Sequence, residues 1–596
     1  MAEPSLQLGN GNWAGKSGNL LAYHKVDNNF YADELTFARA STGTIVNAEG
    51  LIEEVPYNLI EQSNTFNATW SVGNSTITGG QADKDGGTSA WVIASTTIGS
   101  ETRIRQSQTF TVGEVIALSC YMKAGTVNFG IVRTYSIAGG GRVWFNLLNG
   151  TVGTENSGLT GSIESVGGGW YRCSITGVVT NTGAIDIAPA PADNDYLADA
   201  VGESIYIQDA QLNSGSTAKT YYPTTTRLNI PRVDYLNNSN GSLKLEPQRT
   251  NLVTQSSDFS NAAWDEDGVT IAANNTTSPD GTTNADKFLE TAVNGIHLIN
   301  NTSPITASAT STASVFYKQG TRRYFSIKIL IGSNSYTQVF DSEGLTTGGN
   351  SSNGLTNVVT KIEDYGNGWV RASVAGTSAS GTSTYVIIGL SNSLNPTFHP
   401  TNYNPTYQGS VTDYGYFYGA MLEAGSYATS IIPTSGTTVT RIQDTSSTTG
   451  LSDVIGQTEG TLFVEISAFS GANTDRQISI SDGGTSNRVV MALLYNGTQI
   501  QFVVASGGSI TVNTTQTIAT ITSGTKIAFA YKANDFKIYA NGLLIASDTS
   551  GAVPIGLDTL GFDRGDGNDV FEGNVKNLQL YKTRLSNTEL ATLTTI

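Results

Sequence analysis

The chain has 596 residues, 14% of them charged, with 49 Asp and Glu against 32 Lys and Arg for a formal net charge of −17. That length implies three or four domains, each large enough to bury a core, and the acidity argues against nucleic acid as a partner, because no Lys/Arg cluster stands out along the sequence to override the global field. Polarity is carried by Thr, Ser, Asn and 66 Gly, and the 38% hydrophobic residues recur in short alternating runs, which predicts an all-β chain of tandem β-sandwich (jelly-roll) domains rather than disorder.

Residues 1–38 hold short extended pieces around Trp13, Leu20 to His24 and Phe30-Tyr31, broken by Gly, Asn and Asp. They are read as an anchoring or assembly segment, with an ordinary first pair of strands as the alternative. The start, Met1-Ala2-Glu3-Pro4-Ser5, carries no basic region followed by an apolar one. No apolar run approaches the roughly 20 residues of a membrane span. The expectation is a protein made and kept in a cytoplasm, without a signal peptide and without membrane insertion.

The next two stretches say the same thing twice. Arg39, Val55 to Ile60, Asn64 to Trp70, Tyr121 to Gly125, Gly168 to Arg172 and Pro223 return in order as Arg232, Glu246 to Val253, Ser257 to Trp264, Phe316 to Gly320, Gly366 to Arg371 and Pro433. Two homologous modules, 39–229 and 230–440, therefore follow one another. Strand character is strongest at Val115 to Met122, Arg142 to Leu147, Trp170 to Ile175 and Ser204 to Leu212, with Gly- and Asn-rich turns between, the spacing of a β-sandwich. The last run pairs with Tyr414 to Leu422, and Tyr206/Tyr416, Ala210/Ala420 and Leu212/Leu422 match at one parity, so one face of that strand is held fixed. Cys120 and Cys173 occur only in the first copy and correspond to Val315 and Ala372. That substitution reads as core packing. A disulfide stays open, since sequence does not say whether the two strands are neighbours.

Residues 441–596 form a third unit with a steady ladder of strands: Thr461 to Ile466, Arg488 to Leu494, Gln499 to Val504, Lys526 to Tyr531 and Phe536 to Ala540. Asn541-Gly542 is a strong hairpin signal. Ser586-Asn587-Thr588-Glu589 is a capping box that opens one short helix.

The hairpin Phe536-Lys537-Ile538-Tyr539-Ala540-Asn541-Gly542 and the closing Val575-Lys576-Asn577-Leu578-Gln579-Leu580-Tyr581, with Arg584-Leu585-Ser586, resemble the concanavalin A-like lectin/laminin-G jelly roll. The Gly-Trp-x-Arg strand and the strand Tyr206 to Leu212 give the repeated modules a looser resemblance to carbohydrate-binding modules. Phe37-Ala38-Arg39-Ala40-Ser41 with Gly50-Leu51-Ile52-Glu53, and Pro231 to Tyr235 with Leu245 to Leu252, resemble tracts of fibre and other structural proteins of tailed bacteriophages. These resemblances imply a virion protein of tail- or head-fibre or decoration type, assembled in the host cytoplasm. Its implied partners are host-surface polysaccharide, other virion proteins and further copies of itself, as a trimer.

Chemistry is mostly absent from the sequence. His24, His297 and His399 form no zinc-ligand motif and are read as loop or packing residues. No nucleophile elbow or phosphate loop occurs, and Asp265-Glu266-Asp267 and Glu363-Asp364 are neighbours in sequence only, which on a strand sends them to opposite faces. The chain is therefore expected not to be an enzyme, with a polysaccharide-degrading tail protein as one rival and a purely architectural virion protein as the other. The acidic loop 563–569 offers Asp563, Asp566, Asn568 and Asp569 as oxygen ligands for calcium, with a solvated turn as the alternative. Sugar recognition would use aromatic faces rimmed by amides and carboxylates. Trp170 and Trp369 recur at one place in both modules and are read as core. Trp144, replaced by Val339 in the second copy while Phe145 is kept as Phe340, is the expected surface aromatic. Tyr403 and Tyr407, in an insertion that lengthens the second module, are the other candidates.

Overall fold

In the computed structural model the chain is built almost entirely of antiparallel strands, with a single helix, Asn587–Thr594, among the described residues. Those are all residues except 1, 10–22, 26–29, 32–35, 40, 42, 56–57, 111, 114, 138–139, 157, 215–216, 219–220, 225–230, 380, 470–474, 496–497, 519–520 and 522–523. Two compact units form, one built on Pro56–Ile230 and the other on Leu20–Val55 and Pro231–Ile596 with the N-terminal residues to Ala14.

The first unit is a sandwich of two six-stranded sheets. One runs in the order Thr151–Glu155, Arg142–Asn146, Phe129–Thr134, Gly183–Ala190, Arg103–Gln108, Ser71–Gly73. The other runs Leu159–Gly167, Trp170–Val178, Val115–Ala124, Ser204–Ser214, Ala90–Ser95, Ser75–Gln81. Alternation decides which side chains meet between them. Phe145, Ile185, Ile187, Leu118, Cys120, Cys173, Ile175 and Leu212 point inward and are buried together. Cys120 lies directly opposite Cys173 on adjacent strands, so the strands are neighbours. Both are nonetheless free, buried thiols.

The second unit contains the second copy. Its sheets repeat the order of the first, with Trp264–Asp267, Leu298–Asn301, Ser383–Ser391, Tyr324–Ile331, Asn334–Asp341 and Thr346–Asn353 in one. Val269–Thr277, Thr283–Glu290, Tyr414–Ala424, Thr310–Gln319, Trp369–Thr377 and Thr356–Gly366 make the other. Phe325, Ile327, Ile329, Phe340, Val386, Ile388, Val315, Phe417 and Leu422 fill the core. Trp170 and Trp369 are both buried.

The C-terminal sandwich packs Glu459–Ala468, Thr525–Lys532, Phe536–Ala540, Leu543–Asp548 and Gly573–Tyr581 against Arg476–Ser481, Arg488–Leu493, Gln499–Ser506 and Ser509–Thr517. Asn541 and Gly542 both take positive φ, 49° and 83°, the turn that matches strand twist in a two-residue hairpin. Ser586 and Glu589 close both halves of the capping box at the helix start.

The described strands of the N-terminal segment join the C-terminal sandwich. Leu6–Gly9 pairs with Gly573–Tyr581, and Thr36–Ala38 pairs with Thr445–Thr448. The linker strand Ser242–Leu245 pairs with the same closing strand. Leu6, Leu8, Leu243 and Leu245 all enter the C-terminal core. The physical reason is the row of unpaired backbone groups on an exposed strand edge, which a further strand of alternating apolar residues satisfies.

Candidate functional site

Each sandwich module has one sheet whose outer face is roofed by a loop, and the two faces differ in chemistry. In the first module Ile131, Trp144, Ala188 and Ala190 pack together on that outer face, while Phe145 points into the core. Trp144 therefore lies on the side of the sheet that alternation predicts, but not on the surface. It is 2% exposed, and its indole Nε1 donates to Asp195 O at 2.7 Å in the covering loop. Its ring face is not free to stack on a ligand.

Beside Trp144, four arginines from three strands converge. Arg105 pairs with Asp186 at 2.7 Å, Arg133 and Arg142 each reach Glu101 at 2.8 Å, and Arg103 lies 3.6 Å from Glu101. Tyr135 accepts from Arg105, and Tyr196 lies under Arg142. The fold thus assembles a basic cluster that the linear sequence does not display. Every guanidinium in it has a carboxylate within reach.

In the second module the register aligns Lys328 with Arg133, since Lys328 faces Ile387 and Thr337 across its strand as Arg133 faces Asp186 and Arg142. By the same register Asn300 stands for Arg105 and Leu298 for Arg103. Of this charged set the second copy keeps one cation. The insertion folds over it: Thr397–Phe398, Pro405–Gln408 and Asn294–Gly295 make a small three-stranded sheet, and Lys328 Nζ donates to Asn402 O. A cavity of about 300 Å³ remains, lined by Asp267, Ile296, Leu298, Asn300, Lys328, Leu330, Tyr385, Ile387, Asn402 and Asn404. Lys328 is 5% exposed. Burial alone pulls its ammonium down to about 8, because removing a cation from water favours the neutral form.

Tyr403 sits on this insertion at positive φ, half-buried, with its ring centroid 5.9 Å from Lys328 Nζ. Tyr407 does not offer a ring. It is 7% exposed, its hydroxyl donates to Glu290 Oε1 at 2.7 Å, and it packs on His297 with ring centroids 4.5 Å apart. His297 is buried between Gly268 O and Tyr407 O, and His399 Nδ1 accepts from backbone nitrogens of its own turn. The side chain of His24 lies outside the described residues.

Lys328 and Tyr385 were missed by reading for aromatic loops. The available signal was strand alternation: Phe325, Ile327 and Ile329 point inward and Lys328 outward, as do Val386 and Ile388 against Tyr385. The repeat offset that aligns Lys123 with Lys318 also aligns Arg133 with Lys328.

The acidic loop is not arranged as a cation cage. Asp566 and Asp569 turn to Arg564 at 2.7 and 3.3 Å, and Asp563 accepts from the backbone of Gly565 and Gly567. Asn568 contributes backbone contacts to the same turn. Of the expected calcium ligands Asp563, Asp566, Asn568 and Asp569, the carboxylates of Asp566 and Asp569 meet an internal cation instead, because Arg564 is long enough to fold back over its own loop, and Asp563 is held by backbone N–H groups. Among the described residues no group of three or more His, Cys, Asp or Glu is placed to hold a metal.

A larger cavity of about 510 Å³ lies in the second unit between the outer face of the other sheet and the C-terminal sandwich. Most of its charges meet partners within the unit: Lys244 pairs with Asp234 and Lys361 with Glu363, each at 2.7 Å, and Arg371 donates to Thr429 O and Ser314 Oγ, while Lys576 also lines it. It reads as a seam. The smaller cavity, with a lone cation, an aromatic wall and amides at its rim, is the better place for a polar ligand.

No curated protein matches the chain. Among solved structures, the Ruminococcus gnavus IT-sialidase CBM40 bound to α2,3-sialyllactose is 19% identical, with 23% of this chain and 84% of that one covered at a TM-score of 0.21. The CBM22-1–CBM22-2 tandem of Paenibacillus barcinonensis Xyn10C is 10% identical over 65% of this chain and 100% of that one, at 0.20. Mouse laminin α1 domains LG4-5 are 11% identical over 49% and 86%, at 0.18. Scores of this size carry no functional weight. Residues 446–591 match the family model described as the Concanavalin A-like lectin/glucanases superfamily, and the two-sheet sandwich that those residues form is the fold expected of that likeness.

Proposed function

We propose that the protein is a non-enzymatic, glycan-binding component of a tailed-bacteriophage virion, of fibre or decoration type, that attaches to host-surface polysaccharide. The observation that carries the glycan-binding reading is the match of residues 446–591 to a lectin superfamily. The virion reading is supported by the fibre-like tracts around Arg39 and Arg232. The mechanism is avidity: weak sites on one chain raise the effective concentration for one another. Assembly with other virion proteins in the host cytoplasm, and as a symmetric trimer, would multiply them.

Catalysis is no part of this reading: in the cleft of the second module Asp267 is the one carboxylate among the lining residues, whereas glycosidic cleavage ordinarily needs two. A purely architectural role is favoured by one observation, the buried cluster of Arg39, Arg232, Arg441, Glu246 and Asp444 that ties linker segments together within the second unit.

The test is a glycan array and a host-cell binding assay with the full chain, run with light scattering for its mass. Saturable binding to cells and to a defined glycan supports attachment. A folded oligomer that binds neither leaves the architectural role.

A further inference from the structure

The duplication supplies an internal control for one charge. In the first module the cation at the centre of the outer face, Arg133, reaches Glu101 at 2.8 Å and Asp186 at 3.7 Å. In the second module the register places Ile387 where Asp186 stands and keeps the cation as Lys328. The repeat offset that aligns Arg133 with Lys328 puts Ile296, also in the cavity wall, where Glu101 stands. Both counter-ions have been replaced by isoleucine and the positive charge has stayed.

Lys328 is nearly excluded from water and lines the cavity. Its ammonium has three donors and spends one on Asn402 O. No described carboxylate pairs with it, and Asp267 stands at the exposed edge of the cavity. A buried charge without a partner is costly. A fold that retains one facing a cleft, beside Tyr385 and Tyr403 and among the amides of Asn300, Asn402 and Asn404, is suited to a ligand that brings the missing anion on a ring rich in hydroxyls.

We propose that this cleft takes a sugar bearing a carboxylate, with Lys328 as its counter-charge. The proposal rests on the reading of the chain as a glycan binder and names the class of glycan. The shared chemistry is an anionic ring substituent, which a uronic acid and a sialic acid both provide.

The test is calorimetric titration of the full chain with trigalacturonate, its fully methyl-esterified form, sialyllactose and lactose. At least one acid is expected to bind tenfold or more tightly than its neutral counterpart. Lys328→Met should remove that preference, while Arg133→Met should leave it in place. The Met variant deletes a buried charge and is expected to melt no lower than the parent, so loss of binding is not loss of fold. Equal binding of acid and neutral forms would overturn the proposal and leave glycan binding standing. Acid preference that survives Lys328→Met, or that disappears with Arg133→Met, would also overturn it. No binding to any sugar, with a blank glycan array, would sink this proposal together with the reading beneath it.

Discussion

Arg232 donates to Glu246 at 2.6 Å with both side chains wholly shut off from water. Glu246 also meets Arg441 at 2.9 Å, while Asp444 accepts from Arg232 and from Arg39. Three arginines from three joints of the chain converge on two carboxylates. Such a cluster adds little net stability relative to a well-packed apolar one, but it is severe to break, because removing one partner strands the others. Glu246→Ala should therefore destabilise the second unit by about 3–5 kcal/mol, measured as the shift of its urea transition.

The same cluster sets an acid limit. The flanking guanidiniums of Arg232 and Arg441 hold the Glu246 carboxyl well below its usual range despite its burial. A carboxyl depressed on folding contributes stability above its unfolded value near 4.5, and that contribution is lost as pH falls through the folded value. Stability measured from pH 7 downward should hold to about 5 and then decline. A Glu246→Gln chain should start lower and show less of that decline.

Lys328 has the opposite sign. Its ammonium is pulled from 10.5 to about 8, so the folded state resists a proton that the unfolded chain keeps. The cost is full below pH 8 and fades as pH approaches 10.5. A shift of this size corresponds to about 3 kcal/mol. Lys328→Met should raise the melting temperature at pH 7, and the advantage should shrink between pH 8 and 10.5. An unchanged melting temperature would mean that the charge is already compensated.

Trp144→Ala is expected to act on stability first. The indole is packed against Ile131, Ala188 and Ala190 and anchors the covering loop through Asp195, so truncation should cost about 3–5 kcal/mol in the first unit. Trp144→Phe, which keeps most of the volume, should cost much less. Glycan affinity lost without a change in the urea midpoint would contradict this placement.

Cys120 and Cys173 face one another across a strand pair, buried as free thiols, and burial pushes both well above the ordinary thiol range. The thiolate is the reactive species. Neither should react with a thiol reagent in the native chain, and both should react once guanidinium unfolds it. No reactive thiol on unfolding would mean that the pair had oxidised.

Chelation should change nothing. Arg564 occupies the place a cation would take among Asp566 and Asp569. Melting with and without EDTA should coincide, and a calcium-dependent rise would show that the loop can release its arginine.

The amino-acid sequence by itself determined the tandem β-sandwich class, the duplication, the Asn541-Gly542 hairpin and the capped helix at Ser586. These rest on local rules: alternation at period two, turn residues with positive φ, and a side chain that reaches its own backbone. Alternation also put Trp144 on the correct side of its sheet, opposite Phe145. Only the tertiary structure decided whether that side meets water, because a loop fifty residues further on covers it. Tyr407 failed as a surface aromatic for the same reason, its hydroxyl spoken for by Glu290. The basic face of Arg103, Arg105, Arg133 and Arg142 and the lone Lys328 were invisible along the chain for a complementary reason. Charges on three strands become neighbours only when the sheet sets their order, and whether a cation is paired depends on which residue the register places across from it, Asp186 in one copy and Ile387 in the other.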